Sequence, residues 1–120
     1  MKKTILFVDD SVEIAKIIRL YLSMYEVHYE ENPVKAFEWL NNGNLPDLII
    51  SDINMPEYNG NQFLEYLKSN SLFSDIPVMI LSSEDSSAVR IHFYELGAVD
   101  FLIKPFNPEE LRVRVKRIIK

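Results

Sequence analysis

Three carboxylates, one hydroxyl and one ammonium stand at the ends of short apolar runs in this sequence. Asp9 and Asp10 follow the first run, Asp52 follows a second, Ser82 a third, and Lys104 the last. Close carboxylates repel one another unless a cation lies between them. Oxygen ligands without histidine or cysteine suit Mg²⁺, which takes one or two carboxylates plus waters and phosphate oxygens. Brought together, these residues predict an acidic Mg²⁺ pocket for phosphoryl transfer, with a lysine and a hydroxyl beside it.

Each of these residues also has a purely structural interpretation. Asp10 fits a helix N-cap, with Glu13 three residues later completing a capping box. Asp52 fits a residue that stabilises the turn after it, Ser82 fits another cap, and Lys104 fits a solvated lysine at a strand end. The functional interpretation is favoured by the set as a whole, because chance does not readily place complementary charges after four apolar runs.

Five stretches have the character of strands. Four apolar runs are continuous, as in parallel strands covered on both faces, and cover residues 5–8, 48–50, 78–81 and 101–103. Residues 27–30 alternate apolar and polar side chains, which indicates an edge strand with one wet face. Ligands of such sheets bind at the carboxyl ends of the strands, which is where the charged set is expected.

Helical patterns separate these stretches. They cover residues 12–24, a segment from Asn32–Pro33 to Gly43, residues 61–69, residues 86–96 before Gly97, and a segment starting at Asn107. Asparagine before proline is a typical helix start, and glycine a typical end, whereas Gly60 is interpreted as a turn. The alternation predicts one three-layer α/β domain over residues 1–120, with a parallel five-stranded sheet and right-handed crossovers.

Composition excludes several functional classes. The 120 residues include no cysteine, which excludes disulfide scaffolds, thiolate zinc sites, iron–sulfur clusters and cysteine nucleophiles. Residues 1–103 carry 16 acidic and 7 basic side chains, so direct nucleic-acid binding is not expected. No apolar run reaches the roughly 18 residues of a membrane span. The expected location is the cytoplasm, without membrane association.

Two other kinds of site are not expected either. His28 and His92 lie far apart in the sequence and lack metal-ligand spacing. Trp39 and the pair Phe93–Tyr94 fall in helical segments, which favours packing roles. The first apolar run is not followed by a glycine-rich phosphate loop, so nucleotide binding is not expected.

Four ordered motifs carry a resemblance to a known family. They are Val8-Asp9-Asp10-Ser11, Asp52-Ile53-Asn54-Met55-Pro56 through Gly60, Leu81-Ser82-Ser83, and residues 97–106 with Lys104-Pro105. Over its whole length the chain resembles a response-regulator receiver domain of two-component signalling, similar to chemotaxis regulators. The resemblance implies a flavodoxin-like sandwich with strand order 2-1-3-4-5 and a cis Lys104–Pro105 bond. It also implies a phosphoprotein that is not a turnover enzyme.

The resemblance implies specific roles in phosphoryl transfer. Asp52 would be the phosphoacceptor and would form an aspartyl phosphate. Lys104 and Ser82 would each neutralise charge on one phosphoryl oxygen. Ser82 stands where the family usually has threonine, and Ser83 where alanine is frequent.

The resemblance also implies a metal site and a switch. The Mg²⁺ ligands would be the carboxylates of Asp10 and Asp52 and the backbone carbonyl of Asn54, with Asp9 acting through a bound water. Ser82 and Phe101 would couple phosphorylation to the surface of the fourth helix, fifth strand and fifth helix. The implied partners are a sensor histidine kinase or phosphotransfer protein, a downstream effector on that surface, and a second copy in a phosphorylation-dependent homodimer.

Two alternative functions stay open at the level of sequence. A small Mg²⁺-dependent phosphohydrolase could use Asp52 as its nucleophile, although Asn54, two residues later, supplies no general acid. A receiver-fold interaction module that never accepts phosphate is disfavoured because all five site residues are present. Whether the chain acts alone or within a larger regulator or hybrid kinase is left open.

Overall fold

Five strands and five helices alternate in the part of the chain that the structure describes, as the sequence predicts. A computed structural model describes residues 2–55 and 59–120. The elements are β1 (Thr4–Val8), α1 (Val12–Tyr21), β2 (Glu26–Glu30), α2 (Pro33–Asn41), β3 (Leu48–Asp52), α3 (Gly60–Ser69), β4 (Val78–Ser82), α4 (Ser87–Glu95), β5 (Asp100–Ile103) and α5 (Pro108–Ile118). Pro56, which belongs to the motif that begins at Asp52, lies outside the described residues.

The strands form one parallel sheet in the order β2-β1-β3-β4-β5. This confirms the flavodoxin-like order and the edge position of residues 27–30. All residues of β3 and β4 are buried, whereas β2 keeps partial exposure along its length. The register pairs Asp52 with Leu81 and Ser82 with Ile103, so neighbouring strands end at nearly the same level.

Two hydrophobic cores lie on opposite faces of the sheet, which makes the predicted three layers. One contains side chains of α2, α3 and α4, including Leu40, Leu64 and Phe93. The other contains side chains of α1 and α5, including Ile18 and Leu111. No helix in the described ranges is long and apolar enough to cross a membrane.

Helix ends follow the predicted chemistry at four places. The side chains of Asn32 and Asn107 accept hydrogen bonds from backbone N–H groups at the starts of α2 and α5. Gly43 and Gly97 follow α2 and α4 with φ of +96° and +110°. These left-handed conformations cost glycine little, because it has no Cβ.

The start of α1 at residue 12 is confirmed, whereas its predicted end at residue 24 and the structural interpretation of Asp10 as its N-cap are wrong. The N-cap is Ser11, whose Oγ accepts from the Ile14 N–H at 3.2 Å, and not Asp10. The helix also stops at Tyr21 rather than residue 24, because the Tyr25 N–H bonds to the Leu22 carbonyl in a turn that leads into β2. The Asp10 carboxylate is therefore not part of the helix cap.

The interpretation of Gly60 as a turn residue is also wrong. Gly60 is the first residue of α3. A Cβ built on it would lie 2.7 Å from the Cβ and Cγ2 atoms of Ile53 and 3.0 Å from the Ile53 Cα. Glycine is therefore needed here for a close approach between the segment after β3 and the start of α3.

Gly60→Ala is expected to destabilise the fold by about 2 kcal/mol, the usual cost of forcing an extra methyl into a packed contact. The added methyl would meet the Cβ and Cγ2 atoms of Ile53, and a β-branched side chain has little rotational freedom at χ1. Relief of the clash therefore requires movement of the backbone. Urea unfolding measures the change, with Gln62→Ala at an exposed position of the same helix as the control. Equal stability of Gly60→Ala and the unmodified chain would show that this contact relaxes freely.

Candidate functional site

The five charged and hydroxyl side chains predicted from the sequence lie at the carboxyl edge of the sheet. Asp52 and Ser82 are the last residues of β3 and β4, and Asp9 and Lys104 directly follow β1 and β5. The Lys104 Nζ lies 2.9 Å from Asp9 Oδ2 and 3.2 Å from Asp52 Oδ2. Residues separated by 95 positions in sequence thus form one ion-paired group.

Three of these polar side chains are almost completely buried. Asp9 and Ser82 are 0% exposed and Asp52 is 2% exposed. Burial of a carboxylate disfavours its charged form, and this is the main reason that the pKa of Asp9 is raised. The hydrogen bond from Lys104 acts in the opposite direction and lowers the same pKa. One ammonium is shared between two buried carboxylates, which leaves an excess of negative charge.

Asp10 adds a third carboxylate to this group. One oxygen from each of Asp9, Asp10 and Asp52 lies within 4.8 Å of the others. With Lys104 counted, the group carries two uncompensated negative charges when all three acids are ionised. A divalent cation would balance them, and the donors are oxygens, the ligands that hard cations prefer. This acidic pocket can therefore bind a metal ion.

The carboxylates differ in how far their oxygens are already engaged. Asp9 Oδ1 accepts from the Ser11 N–H at 2.9 Å, and its Oδ2 accepts from Lys104. Asp52 Oδ1 accepts from the Asn54 N–H at 3.0 Å. Asp52 therefore also stabilises the turn after β3, as its structural interpretation proposes. Asp10 is exposed and has no hydrogen-bond partner among the described residues, which leaves its oxygens available to a cation.

The segment after β4 is joined to the segment after β3 by a network that the sequence did not reveal. Asn54 Oδ1 accepts hydrogen bonds from Ser83 N at 3.0 Å and Ser83 Oγ at 3.2 Å, and lies 3.4 Å from Ser82 Oγ. Ser82 Oγ accepts from the Glu84 N–H at 3.0 Å. Ser82 thus stabilises a local turn, while the N-cap of α4 is Ser86.

Phe101 lies in the core on the α4 side of the sheet. Its side chain is 3% exposed, and its ring centroid is 6.2 Å from that of Phe93 in α4. Arg114 of α5 donates to the Phe101 carbonyl at 3.3 Å and to Asp100 Oδ1 at 2.9 Å. Sequence reasoning missed Arg114, because its spacing along α5 shows only an ordinary exposed arginine.

The remaining residues singled out from the sequence lie away from the acidic pocket. His28 stacks on Trp39 with ring centroids 4.3 Å apart and bonds to Glu30, all beside the edge strand β2. His92 of α4 bonds to Asn61 of α3 at 2.9 Å.

The Lys104–Pro105 peptide bond beside the acidic pocket is cis, which confirms the expectation from the family resemblance.

Comparisons with known proteins agree with this geometry. The sequence profile described as the response regulator receiver domain matches residues 5–116. Response regulator Rre1 of Synechocystis sp. is 34% identical over an alignment of 119 residues that covers 97% of this chain and 51% of that protein. Histidine kinase P4 of Formosa agariphila is 38% identical over an alignment of 120 residues that covers 99% of this chain but 9% of that protein.

The chain therefore spans about half the length of many of the curated relatives it matches, and much less of the kinases. Among solved structures, the chemotaxis response regulator CheY4 of Vibrio cholerae has a TM-score of 0.89 and 31% identity, covering 98% of this chain and 99% of that one. A Mn²⁺-bound form of response regulator Rcp1 has a TM-score of 0.81 and 28% identity, covering 97% and 91%. The chain belongs to the response-regulator receiver domains of two-component signalling.

Proposed function

We propose that this chain accepts a phosphoryl group on Asp52 from a phosphohistidine of a sensor kinase or phosphotransfer protein. In this step an Asp52 oxygen attacks phosphorus, the phosphorus–nitrogen bond breaks, and the imidazole leaves with its electron pair and takes up a proton. The observation that carries the proposal is the contact of Lys104 with both Asp52 and Asp9, within an acidic pocket of three carboxylates.

Lys104 and Ser82 are proposed to stabilise charge on the phosphoryl oxygens. The Lys104 Nζ already lies 3.2 Å from the Asp52 carboxylate, where a phosphoryl group would be attached. Fixed positive charges and donors beside a transferring phosphoryl group act strongly in a site that excludes water. The burial of Asp52 supports such a site.

The cation that we propose for the acidic pocket is Mg²⁺. Asp10, Asp52 and the backbone carbonyl of Asn54 would hold it directly, and Asp9 would contact it through a water. The engagement of both Asp9 oxygens by Ser11 and Lys104 supports the indirect role of Asp9. When bound, the ion supplies positive charge to the phosphoryl oxygens.

Mg²⁺ is expected to stabilise the folded chain, since it binds the carboxylates that the fold brings together and not the separated carboxylates of the unfolded chain. At a concentration one hundred times its Kd, the expected gain in unfolding free energy is about 2.7 kcal/mol. Asp10→Asn removes a proposed ligand with no hydrogen-bond partner among the described residues, and should abolish most of this gain. Chemical unfolding with Mg²⁺ or with chelator measures both effects.

The control for this experiment is Asp75→Asn, at an exposed acid between α3 and β4. It should respond to Mg²⁺ as the unmodified chain does. A full Mg²⁺ response in Asp10→Asn would remove Asp10 from the ligand set.

The proposed output surface is formed by α4, β5 and α5, with Ser82 and Phe101 as the switch. Arg114 supports this route because it joins the Phe101 carbonyl to Asp100 and, at 2.8 Å, to Glu110 on the same surface. Phosphorylation would bring the Ser82 hydroxyl to the phosphoryl group, and the Phe101 ring would follow. An effector, or a second copy in a homodimer, would bind the altered surface.

Acetyl phosphate and an excess of a small phosphomonoester distinguish this proposal from its rivals. A receiver forms one stoichiometric adduct that is stable to acid and labile to base. Sustained release of phosphate from the monoester would instead indicate a phosphohydrolase. No mass increase with acetyl phosphate, at any Mg²⁺ concentration, would indicate an interaction module.

The single domain over residues 1–120 and the cytoplasmic location stay predictions.

A further inference from the structure

Three hydrogen-bond donors from the last residue of β4 and the residue after it converge on one side-chain oxygen. The oxygen is Asn54 Oδ1, and the donors are the Ser83 backbone N–H at 3.0 Å, the Ser83 hydroxyl at 3.2 Å and the Ser82 hydroxyl at 3.4 Å. Asn54 is also anchored beside the proposed phosphoacceptor, because its own backbone N–H donates to Asp52 Oδ1 at 3.0 Å. The donors therefore lie next to the carboxylate that would carry the phosphoryl group.

The orientation of the Asn54 amide is set from both ends. Its oxygen faces three donors, and its Nδ2 faces the Glu84 carboxylate at 3.5 Å. The reversed amide would place an NH₂ group against donors and an oxygen against a carboxylate, so it is disfavoured. The Glu84 backbone N–H donates to Ser82 Oγ and holds that hydroxyl in place.

A cluster of donors that bonds to a neutral amide oxygen is also suited to an anionic phosphoryl oxygen. Hydrogen bonds to a charged acceptor are shorter and roughly twice as strong as those to a neutral one. The Ser83 N–H has a single hydrogen and can donate a strong hydrogen bond to only one acceptor at a time. A phosphoryl oxygen on Asp52 and the Asn54 side chain would therefore compete for the same donors.

We propose that the Asn54 side chain is an internal competitor of the phosphoryl group, which occupies the donors of Ser82 and Ser83 until Asp52 is phosphorylated. This inference rests on the proposed phosphoacceptor function. In the unphosphorylated chain the competitor ties the segment after β3 to the segment before α4. Its displacement releases the start of the output surface at the moment when the phosphoryl group takes its place. The backbone carbonyl of Asn54 has no part in the competition.

Asn54→Ala tests this inference because it removes the competing oxygen and keeps the backbone. Beryllofluoride, a phosphoryl mimic that is not turned over, is titrated into the full chain at saturating Mg²⁺. The variant is expected to bind it about 2- to 10-fold more tightly, since one net hydrogen-bond exchange no longer opposes binding. Without beryllofluoride, the Ser83 amide proton should exchange with solvent faster in the variant than in the unmodified chain.

The matched control is Asn44→Ala. Asn44 precedes β3 at the opposite edge of the sheet, and its amide donates to the Trp39 carbonyl at 2.7 Å. This variant also loses an asparagine hydrogen bond, but its beryllofluoride affinity and Ser83 exchange should match those of the unmodified chain.

The outcomes separate the competitor from the proposed function. If the unmodified chain binds beryllofluoride and Asn54→Ala binds it equally or more weakly, the competitor is refuted and the phosphoacceptor function stands. If the unmodified chain neither binds beryllofluoride nor reacts with acetyl phosphate, both are refuted. If Asn54→Ala but not Asn44→Ala binds beryllofluoride more tightly than the unmodified chain, and its Ser83 amide proton exchanges faster, both the competitor and the phosphoacceptor function are supported.

Discussion

Asp52→Asn is expected to abolish phosphoryl incorporation from acetyl phosphate, with a loss of roughly a thousandfold or more, as is usual when a nucleophile is removed. An amide oxygen is a far weaker nucleophile than a carboxylate, and attack through it would not give the acyl phosphate. The Asn54 N–H, which donates to Asp52 Oδ1 at 3.0 Å, can donate equally to the asparagine oxygen. The turn after β3 should therefore survive, and the fold with it.

Intact-mass measurement after incubation with acetyl phosphate and Mg²⁺ detects the adduct, and circular dichroism checks the fold. Asp75→Asn makes the same chemical change at an exposed acid and should be labelled normally. Undiminished labelling of folded Asp52→Asn would mean that the acceptor is another residue.

Lys104→Ala is expected to have two large effects, the first on phosphoryl transfer. The Lys104 Nζ lies between Asp9 and Asp52, 2.9 Å and 3.2 Å from their oxygens. Loss of one such charge-stabilising group typically costs about a hundredfold in rate. Rates of labelling by acetyl phosphate at saturating Mg²⁺ measure the effect, since binding of the ion to Asp10 and Asp52 should persist.

The second effect of Lys104→Ala is on stability without metal. Among the described residues, Lys104 is the cation paired with the two buried carboxylates, and its side chain is itself only 17% exposed. Removal of one partner from a buried ion pair costs about 3–5 kcal/mol. Mg²⁺ should restore part of this loss, which urea unfolding with and without the ion measures.

Lys116→Ala, at an exposed position of α5, is the control for both effects. It should leave the rate and the stability unchanged. Unaltered labelling by Lys104→Ala would exclude the lysine from the transfer step. Unaltered stability in chelator would show that the carboxylates need no fixed counterion.

The sheet could be predicted from the sequence because its signal is local. Continuous runs such as 48–50 and 78–81 are buried on both faces, and residues 27–30, where apolar and polar side chains alternate in the sequence, form the partly exposed edge strand. The convergence of Asp52, Ser82 and Lys104 follows from the same topology, since parallel strands present their carboxyl ends on one edge.

The errors concern details that depend on contacts distant in sequence or on competition between neighbours. Asp10 and Ser11 are both of residue types that favour the N-cap, and their order in sequence does not show which one caps the start of the helix. The close approach of Ile53, seven positions earlier, leaves no room for a Cβ at position 60. No local sequence pattern reveals this contact.

The role of the Asn54 side chain was missed for a similar reason. The family resemblance implied a role only for its backbone carbonyl, whereas the side-chain oxygen bonds to Ser83, 29 positions later. Two loops on adjacent strands meet there, and their relative height is fixed by the register of β3 and β4. Side-chain contacts between loops have no periodicity from which they could be read.

The most direct test of the account is to locate the phosphoryl group itself. The unmodified chain is incubated with acetyl phosphate, with Mg²⁺ or with chelator, and the adduct is then reduced with borohydride and mapped by peptide mass spectrometry. We expect one phosphoryl group per chain, dependent on Mg²⁺, with the reduced residue at position 52. A chain that gains no phosphoryl group, or carries it at another position, would contradict the account.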